Sequence, residues 1–268
     1  MRPTIVLALI LAFVGTPAHA VEVRSDGEVL VFPFFGADNG WDSLIDISIG
    51  PESAILKIRV RDGVNGAEVG SFNVYGFGND GWRASISKSE AGSVQMRIAE
   101  GSCTIGENLH HGGVGTVFPI DADVGTLEVY AISGRLSDPA SMGSCADLAA
   151  RWGPGGVWRT DASSDLVAAP APRISGELTL VRVADGLAAS LEATALHNFS
   201  DSIPHTAPWS ASPNLAEADP VAKLPGQDSA VVPTSGLGVD AGGPRIRKEK
   251  IGTVANDVVT LSSIDAST

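Results

Sequence analysis

The sequence feature that most constrains the fold is a strict two-residue alternation of apolar and charged side chains in residues 55–61, ILKIRVR. Aliphatic residues occupy positions 56, 58 and 60, and basic residues occupy positions 57, 59 and 61. Because successive side chains of an extended chain point to opposite faces, this pattern predicts a strand with one buried face and one basic, solvated face. The next residues, DGVNG at 62–66, are typical of a tight turn, so we expect a hairpin.

The same strand and turn signals recur along the chain. β-prone runs separated by turn-forming residues lie at 28–35, 44–49, 69–75, 82–86, 94–98, 126–133, 175–183 and 187–196. Short, closely spaced strands of this kind are typical of an antiparallel sandwich. We therefore predict a mainly β protein with an immunoglobulin-like β-sandwich over 21–135 and a helical insert and connector over 136–173. Residues 174–268 form a second β-containing, loop-rich region, whose strands complete the sandwich or form a separate small β region.

Three local features refine this prediction. Pro33 lies inside the first run and predicts an edge strand or a bulge, because proline lacks the N–H group that a ladder uses. The polar, glycine-rich residues 101–123 are expected to form a long loop. Ser144 can cap a helix over 145–152, and Asp147 can complete its capping box.

The last part of the chain changes in composition. Residues 198–243 are rich in proline, serine, alanine and glycine without periodicity, so we expect irregular structure there. The only basic cluster is RIRKEK at 245–250. Residues 254–264, VANDVVTLSSI, are predicted to form a last strand.

Residues 1–20 have the order of a cleavable secretory signal peptide. Arg2 precedes an apolar run over 4–14, and a small-x-small cleavage site follows at 18–20. The alternative is an N-terminal membrane anchor, but the apolar run is too short to span a bilayer of about 30 Å. Val21, rather than a cysteine, follows the site, which opposes lipid anchoring. We expect an exported chain that is periplasmic, on the cell surface or extracellular, with no membrane span after cleavage.

Net charge narrows the range of partners. Removing the signal peptide leaves 248 residues and takes away one arginine, so the formal net charge changes from −13 to −14. This acidity opposes binding to nucleic acid and to anionic membrane surfaces. It favours cationic partners or divalent ions. A protein or a polysaccharide at the cell surface is the partner that we expect for an exported chain of this kind.

The two cysteines, Cys103 and Cys145, are expected to form a disulfide. An even pair in an oxidising compartment is most simply a disulfide, and no C-x-x-C motif points to a zinc or redox site. The bond would connect the predicted glycine-rich loop to the predicted helix.

Six segments carry a family resemblance: VLVFPFF (29–35), NGWDSLIDI (39–47), KIRVRDGVNGAEVGSFNVY (57–75), NDGWRASI (79–86), SCADLAARW (144–152) and ISGELTLVRVADGLAASLEATALHNF (174–199). Scattered over most of residues 29–220, they resemble a family of uncharacterised exported, cell-surface proteins of proteobacteria. The resemblance implies a β-rich exported protein. The family has no established activity, so no catalytic residue is carried over. The resemblance also implies that relatives continue with a further β-rich portion, which would make this chain a short or truncated member.

Two groups of residues are weak candidates for a metal site. Asp62, Asn65 and Glu68 resemble a calcium loop, although their spacing departs from the EF-hand pattern and a hairpin turn is the simpler interpretation. His110 and His111 could bind a metal ion, but adjacent side chains on an extended loop point to opposite sides. We therefore predict no cofactor, with calcium as the one inorganic ligand that the sequence suggests.

No catalytic motif is recognisable, and the G-x-S-x-G elbow of serine hydrolases is absent from the sequence. Trp41 and Trp209 lie in polar, turn-like contexts and are the candidates for an exposed contact surface. We therefore predict a non-enzymatic surface or periplasmic protein with a structural or binding role. The alternatives are a secreted hydrolase that uses paired carboxylates and a calcium- or carbohydrate-binding module.

Overall fold

The computed structural model describes residues 21–50, 53–76, 81–138 and 143–218. Three predicted features lie outside the described residues: the signal peptide (1–20), the basic cluster (245–250) and the last strand (254–264).

The described residues form sixteen strands and two α-helices, and neither helix is long and apolar enough to cross a membrane. The helices are α1 (Cys145–Trp152) and α2 (Val157–Thr160). The strands are β1 (Glu22–Arg24), β2 (Val29–Gly36), β3 (Asp42–Ile49), β4 (Ala54–Asp62), β5 (Glu68–Gly76), β6 (Gly81–Lys88), β7 (Val94–Ile98), β8 (Cys103–Gly106), β9 (His111–Gly112), β10 (Val117–Pro119), β11 (Val124–Ala131), β12 (Arg135–Leu136), β13 (Leu166–Val167), β14 (Ile174–Arg182), β15 (Leu187–Glu192) and β16 (Thr194–His197).

The strands form two main antiparallel sheets. The larger sheet has eight strands in the order β1-β16-β2-β11-β4-β5-β8-β9, and the smaller sheet has six in the order β10-β7-β6-β3-β14-β15. β12 and β13 form a separate two-stranded ladder. This arrangement confirms the prediction of a mainly β, antiparallel sandwich. The immunoglobulin-like character of the sandwich stays a prediction.

The strands after residue 173 pair into the same two sheets. β14 and β15 extend the smaller sheet, and β16 pairs with β2 in the larger one. Within the described residues they therefore complete the sandwich. The run predicted as one strand over 187–196 divides at Ala193, because the chain crosses there from one sheet to the other.

The main core lies between the two sheets. Alternation places the aliphatic residues of each strand on the inner face, as the pattern of 55–61 predicts, and Leu56, Ile58 and Val60 are all fully buried there. Gly125 lets β11 approach β4 closely, since an added Cβ would lie 1.9 Å from the carbonyl oxygen of Arg61.

One local prediction is confirmed and another needs correction. Of the two alternatives predicted for Pro33, the bulge is present, because the register between β2 and β11 shifts between Phe32 and Phe35, whereas β2 is an interior strand and not an edge strand. Residues 101–123 are not one long loop, because they contain β8, β9 and β10. Strands of two to four residues are too short to show a periodic sequence pattern.

A second apolar cluster lies on the outer face of the larger sheet. Helices α1 and α2 cover part of this face, and residues 199–218, which we call the strap, cover another part. Ser144 and Asp147 form the predicted capping box of α1. The predicted disulfide between Cys103 and Cys145 is present and connects the first residue of β8 to the first residue of α1.

Candidate functional site

The basic face of β4 is buried, which corrects the prediction that it is solvated. Lys57 is 1% exposed and Arg59 is 4% exposed, because the strap covers the outer face of the larger sheet. Sequence alternation shows that a strand has two different faces, but it does not show what covers the polar one. The outward side chains of β4, β5 and β11 form the group that we call the polar layer: Lys57, Arg59, Arg61, Ser71, Asn73, Tyr75, Glu128 and Tyr130.

Antiparallel pairing aligns the polar layer in rows that cross three strands. In one row Lys57 of β4 lies between Tyr130 of β11 and Asn73 of β5. In the next row Arg59 has Glu128 and Ser71 as its two neighbours. Directly opposed side chains have Cβ atoms about 5 Å apart, so each row is a chain of contacts.

Two ion pairs neutralise the arginines of the polar layer. Arg61 Nε donates to Glu128 Oε1 at 2.5 Å, and Arg59 pairs with Glu68. Tyr130 Oη donates to Glu128 Oε2 at 2.8 Å. Burial and the adjacent Glu128 carboxylate both raise the pKa of Tyr130 well above its ordinary value.

The side chain of Lys57 binds the backbone of the strap. Its Nζ atom donates to the carbonyl oxygens of Ala207 and Pro208, at 2.7 and 2.8 Å. Backbone carbonyls in a buried, irregular segment have no ladder to accept from, so a side-chain donor satisfies them. Burial lowers the pKa of Lys57 to about 7 because it disfavours the charged ammonium group.

Two further side chains of the polar layer bind the strap in the same way. Asn73 Nδ2 donates to the carbonyl oxygen of Thr206 at 2.8 Å, and Arg59 Nη1 donates to that of Pro213 at 3.1 Å. The strap is thus held at several points along its length by one face of β4 and β5.

An aromatic and histidine network continues the contact between sheet and strap. Trp152 Nε1 donates to Tyr75 Oη at 2.8 Å, and Tyr75 Oη lies 2.9 Å from His205 Nε2. His205 Nδ1 lies 2.6 Å from the carbonyl oxygen of Ala162, which can only accept, so Nδ1 carries the proton. Burial lowers the pKa of His205 to about 4 and raises that of Tyr75. His205 is therefore a neutral imidazole whose Nε2 accepts from Tyr75.

A cavity of about 210 Å³, which we call the strap cavity, lies between the polar layer and the end of the strap. At about 30 Å³ per water molecule it can hold several waters or one small organic group. Its walls combine two guanidinium groups, one carboxylate, one amide and aliphatic surface, and the residues that line it are Arg59, Arg61, Glu128, Ala211, Asn214, Leu215 and Ala216.

The predicted calcium-loop residues do not converge on one point. Asp62 and Asn65 accept backbone N–H groups inside their own turn, at 3.0 and 2.7 Å, which supports the hairpin interpretation. Glu68 is the partner of Arg59. All three are engaged in contacts other than a shared metal site.

The two adjacent histidines are likewise separate. His110 Nε2 lies 3.1 Å from the carbonyl oxygen of Val117, and His111 Nδ1 lies 2.7 Å from that of Leu109. Within residues 21–218, as far as they are described, no group of three or more histidine, cysteine, aspartate and glutamate side chains could hold a metal ion.

The two tryptophans predicted to form a contact surface lie over different sheets. Trp209, on the strap, is 43% exposed and packs edge-on against Trp152, with ring centroids 6.2 Å apart. Trp41 precedes β3 of the smaller sheet, and the Arg182 guanidinium lies 5.0 Å from its ring centroid. The structure therefore does not bring the two tryptophans together.

Sequence reasoning missed the polar layer as a site. The usable signal was the presence of Glu128 and Tyr130 in the run TLEVY, whose charge and hydroxyl complement the basic residues of 57–61. The pairing of β4 with β11, which brings Arg61 and Glu128 together across 67 positions of sequence, cannot be read from either run alone.

No known protein family, no curated protein and no solved structure matches this chain.

Proposed function

We propose that this protein is an exported, non-enzymatic binding protein of the cell surface or periplasm, and that it holds a small carboxylate-bearing ligand in the strap cavity. The observation that carries the proposal is a cavity walled by two arginines in a chain whose formal net charge is −13. We also propose that the chain belongs to the exported proteobacterial family that its sequence resembles.

The arginines retain donors that a ligand can use. A guanidinium group has five N–H donors. Contacts within the described residues use two of them on Arg59 and three on Arg61. Ser71, directly opposite Arg59, has a buried Oγ atom without a hydrogen-bond partner in this part of the chain. Planar guanidinium groups bind carboxylates through paired, charge-assisted hydrogen bonds, so an acidic group fits this wall.

The size of the cavity limits the ligand to about one sugar ring. A volume of about 210 Å³ is below the roughly 300–1,000 Å³ of sites that hold drug-sized molecules. Leu215 and the two alanines of the strap provide an apolar wall for a ring, and the Asn214 amide lies beside them. A single acidic sugar, free or at the end of a polysaccharide, matches both the size and the charge.

The polar layer offers little support for the alternative of a carboxylate hydrolase. Such enzymes need two carboxyl groups placed on either side of a scissile bond. Glu128 uses both of its oxygens as acceptors for Arg61 and Tyr130, and Glu68 is held by Arg59. Lys57 and Tyr75 are buried beneath the strap, and the buried His205 is a residue of the strap itself.

Binding of glucuronate, measured by calorimetry on the mature chain, tests the proposal. We expect glucuronate to bind and glucose, which lacks the carboxylate, to bind at least ~10-fold more weakly because a charge-assisted pair contributes about 1.5–3 kcal/mol. Ala216→Phe, which fills the cavity without touching an ion pair, should abolish binding. Ala91→Phe, at another exposed alanine, in the β6–β7 turn, should leave binding unchanged. Absence of glucuronate binding, or equal binding of glucose, contradicts the proposed ligand.

Export is tested separately by sequencing the N-terminus of the protein recovered outside the cytoplasm. The expected first residue is Val21. The disulfide between Cys103 and Cys145 supports an oxidising compartment, since such bonds are rare in reducing cytosol.

A further inference from the structure

The sequence contains two asparagine–glycine pairs, at 39–40 and 65–66, and both lie in turns of the described chain. An asparagine side chain that precedes glycine can lose ammonia in a reaction with the next backbone nitrogen, because glycine has no side chain to hinder the approach. The reaction needs a glycine N–H group that can give up its proton and an asparagine side chain that can rotate towards it. The hydrogen bonds of the two turns therefore decide which pair reacts.

The turn at 62–67 restrains its asparagine–glycine pair. Gly66 is buried, and its N–H group donates to the carbonyl oxygen of Asp62 at 2.9 Å. Asn65 Oδ1 accepts from the N–H group of Ala67 at 2.7 Å, so the side-chain amide is fixed on a nitrogen other than that of Gly66. The N–H group of Asp62 closes the turn by donating to the carbonyl oxygen of Ala67 at 2.9 Å. Several hydrogen bonds must break before Asn65 can react.

The turn at 38–41 leaves its asparagine–glycine pair accessible. Asn39 and Gly40 are both exposed, and the N–H group of Gly40 has no hydrogen-bond partner among the described residues. Their φ angles are 54° and 78°, and the Trp41 N–H group donates to the carbonyl oxygen of Asp38 at 3.0 Å, as in a type I′ turn. The Asn39 side chain makes one exposed hydrogen bond, from Nδ2 to Asp38 Oδ2 at 3.1 Å. That bond alone restrains the side chain, and no bond restrains the attacking nitrogen.

We propose that Asn39 is a site of spontaneous covalent modification, at which a succinimide forms with Gly40 and hydrolyses to aspartate and isoaspartate. The Gly40 nitrogen loses its proton and forms a bond to Asn39 Cγ, the Cγ–Nδ2 bond breaks, and ammonia leaves. Water then adds to one of the two ring carbonyl groups. Addition at Cγ restores the main chain with aspartate at position 39, and addition at the backbone carbonyl leaves the main chain running through Cγ as isoaspartate. This inference does not depend on the ligand of the strap cavity.

The modification changes the charge of a loop that joins the two sheets. Residues 37–41 connect β2 of the larger sheet to β3 of the smaller one. Asp38 already shares Lys88 with Asp123, at 2.8 and 3.0 Å. A carboxylate at position 39 cannot donate to Asp38 Oδ2, and it adds a negative charge beside two carboxylates that share one lysine. We therefore expect the turn to loosen next to Trp41.

Peptide mapping by mass spectrometry, on the mature chain incubated at mildly alkaline pH, is the primary test. In urea-unfolded protein the two pairs should react at similar rates, because their reacting atoms are the same. In folded protein we expect Asn39 to react at least ~10-fold faster than Asn65, whose turn must first open. A folded-state rate at Asn65 equal to or above that at Asn39 overturns the proposal. So does an unmodified Asn39 after a time in which the unfolded chain reacts completely.

Asn39→Gln and Asn65→Gln are a matched pair of variants, because glutamine would have to form a larger ring and reacts far more slowly. In folded protein Asn39→Gln should remove most of the acidic species that ion-exchange chromatography separates, and Asn65→Gln should leave them. Accumulation of these species in Asn39→Gln at the wild-type rate overturns the proposal. Asn39→Asp, which reproduces the aspartate product, should speed hydrogen exchange of the Trp41 amide. Unchanged exchange at Trp41 contradicts the expected loosening of the turn.

Discussion

Tyr75 Oη lies 2.9 Å from His205 Nε2, and this hydrogen bond joins a central strand of the larger sheet to a strap residue 130 positions later in the chain. The same tyrosine oxygen accepts from Trp152 of α1. One hydroxyl therefore connects the sheet, the helix and the strap. The connection requires a neutral imidazole at His205, because only an unprotonated Nε2 can accept from Tyr75.

Acid is expected to destabilise the protein through His205. The histidine pKa is about 4 in the folded chain and 6.5 in the unfolded chain. Between these values the unfolded chain binds a proton that the folded chain does not, so stability falls as the pH drops from 6.5 to 4. The expected loss of unfolding free energy is ~3 kcal/mol. Urea unfolding between pH 7 and 4 measures it.

A comparison of two histidine variants isolates this effect. His205→Gln lacks the titrating group, so its unfolding free energy should depend less steeply on pH over the same interval. His110→Gln replaces an exposed histidine and should retain the wild-type dependence. Equal slopes in wild type and His205→Gln would show that the buried imidazole does not control acid stability.

Lys57 is expected to make the folded protein more stable as the pH rises above 7. Its pKa is about 7 in the folded chain and 10.5 in the unfolded chain, so the unfolded chain binds the extra proton between these values. Stability from this group therefore rises with pH above 7. From pH 7 to 9.5 the wild-type unfolding free energy should gain ~3 kcal/mol relative to Lys57→Met. Lys88→Met is the control, because Lys88 is solvent-accessible and its pKa is raised, and its unfolding free energy should depend on pH as that of wild type does. The prediction is contradicted if the pH dependence of Lys57→Met is parallel to that of wild type.

The disulfide between Cys103 and Cys145 is expected to stabilise the fold substantially. It closes a loop with a sequence separation of 42, which corresponds to about 3–4 kcal/mol on the chain-entropy description. The double variant with alanine at both positions should lose this amount in urea unfolding. A reducing agent should lower the stability of wild type but not that of the double variant. An unchanged wild-type midpoint under reducing conditions would contradict this expectation.

Gly125→Ala is expected to be strongly destabilising, by at least ~3 kcal/mol. An alanine Cβ would lie 1.9 Å from the Arg61 carbonyl oxygen and 2.6 Å from Phe35 Cε1, so β11 would have to move away from β4. Gly101→Ala is the matched control because no atom lies within 4 Å of its added Cβ, and it should change stability by less than ~0.5 kcal/mol. Similar midpoints for the two variants would contradict the close approach of the strands.

Much of the fold followed from local patterns. The alternation in 55–61 places its aliphatic residues correctly in the core, and the Ser144 capping box and the cysteine pairing are both confirmed. These features depend on residues close in sequence, or on there being only two cysteines to pair. The short strands within 101–123 were missed because two to four residues carry no readable period.

The candidate site could not be predicted in the same way. Its walls come from β4, β11 and the strap. Glu128 of β11 lies 67 positions after Arg61 of β4, and Pro213 of the strap lies 154 positions after Arg59. The predicted calcium-loop residues do not converge, because Asp62 and Asn65 accept hydrogen bonds within their own turn and Glu68 forms an ion pair with Arg59. The spacing of residues in a local motif does not show which residues, distant in sequence, they contact in the folded chain.

The amino-acid sequence by itself determined the strand faces, the turns, the helix cap and the disulfide, since each is decided by side chains that are neighbours along the chain or by the cysteine count. Only the tertiary structure decided that the basic face of β4 is buried and that Lys57, Arg59 and Tyr75 hold the strap. The physical reason is that an irregular segment has backbone carbonyls to satisfy, and the sheet that lies beneath it supplies the donors.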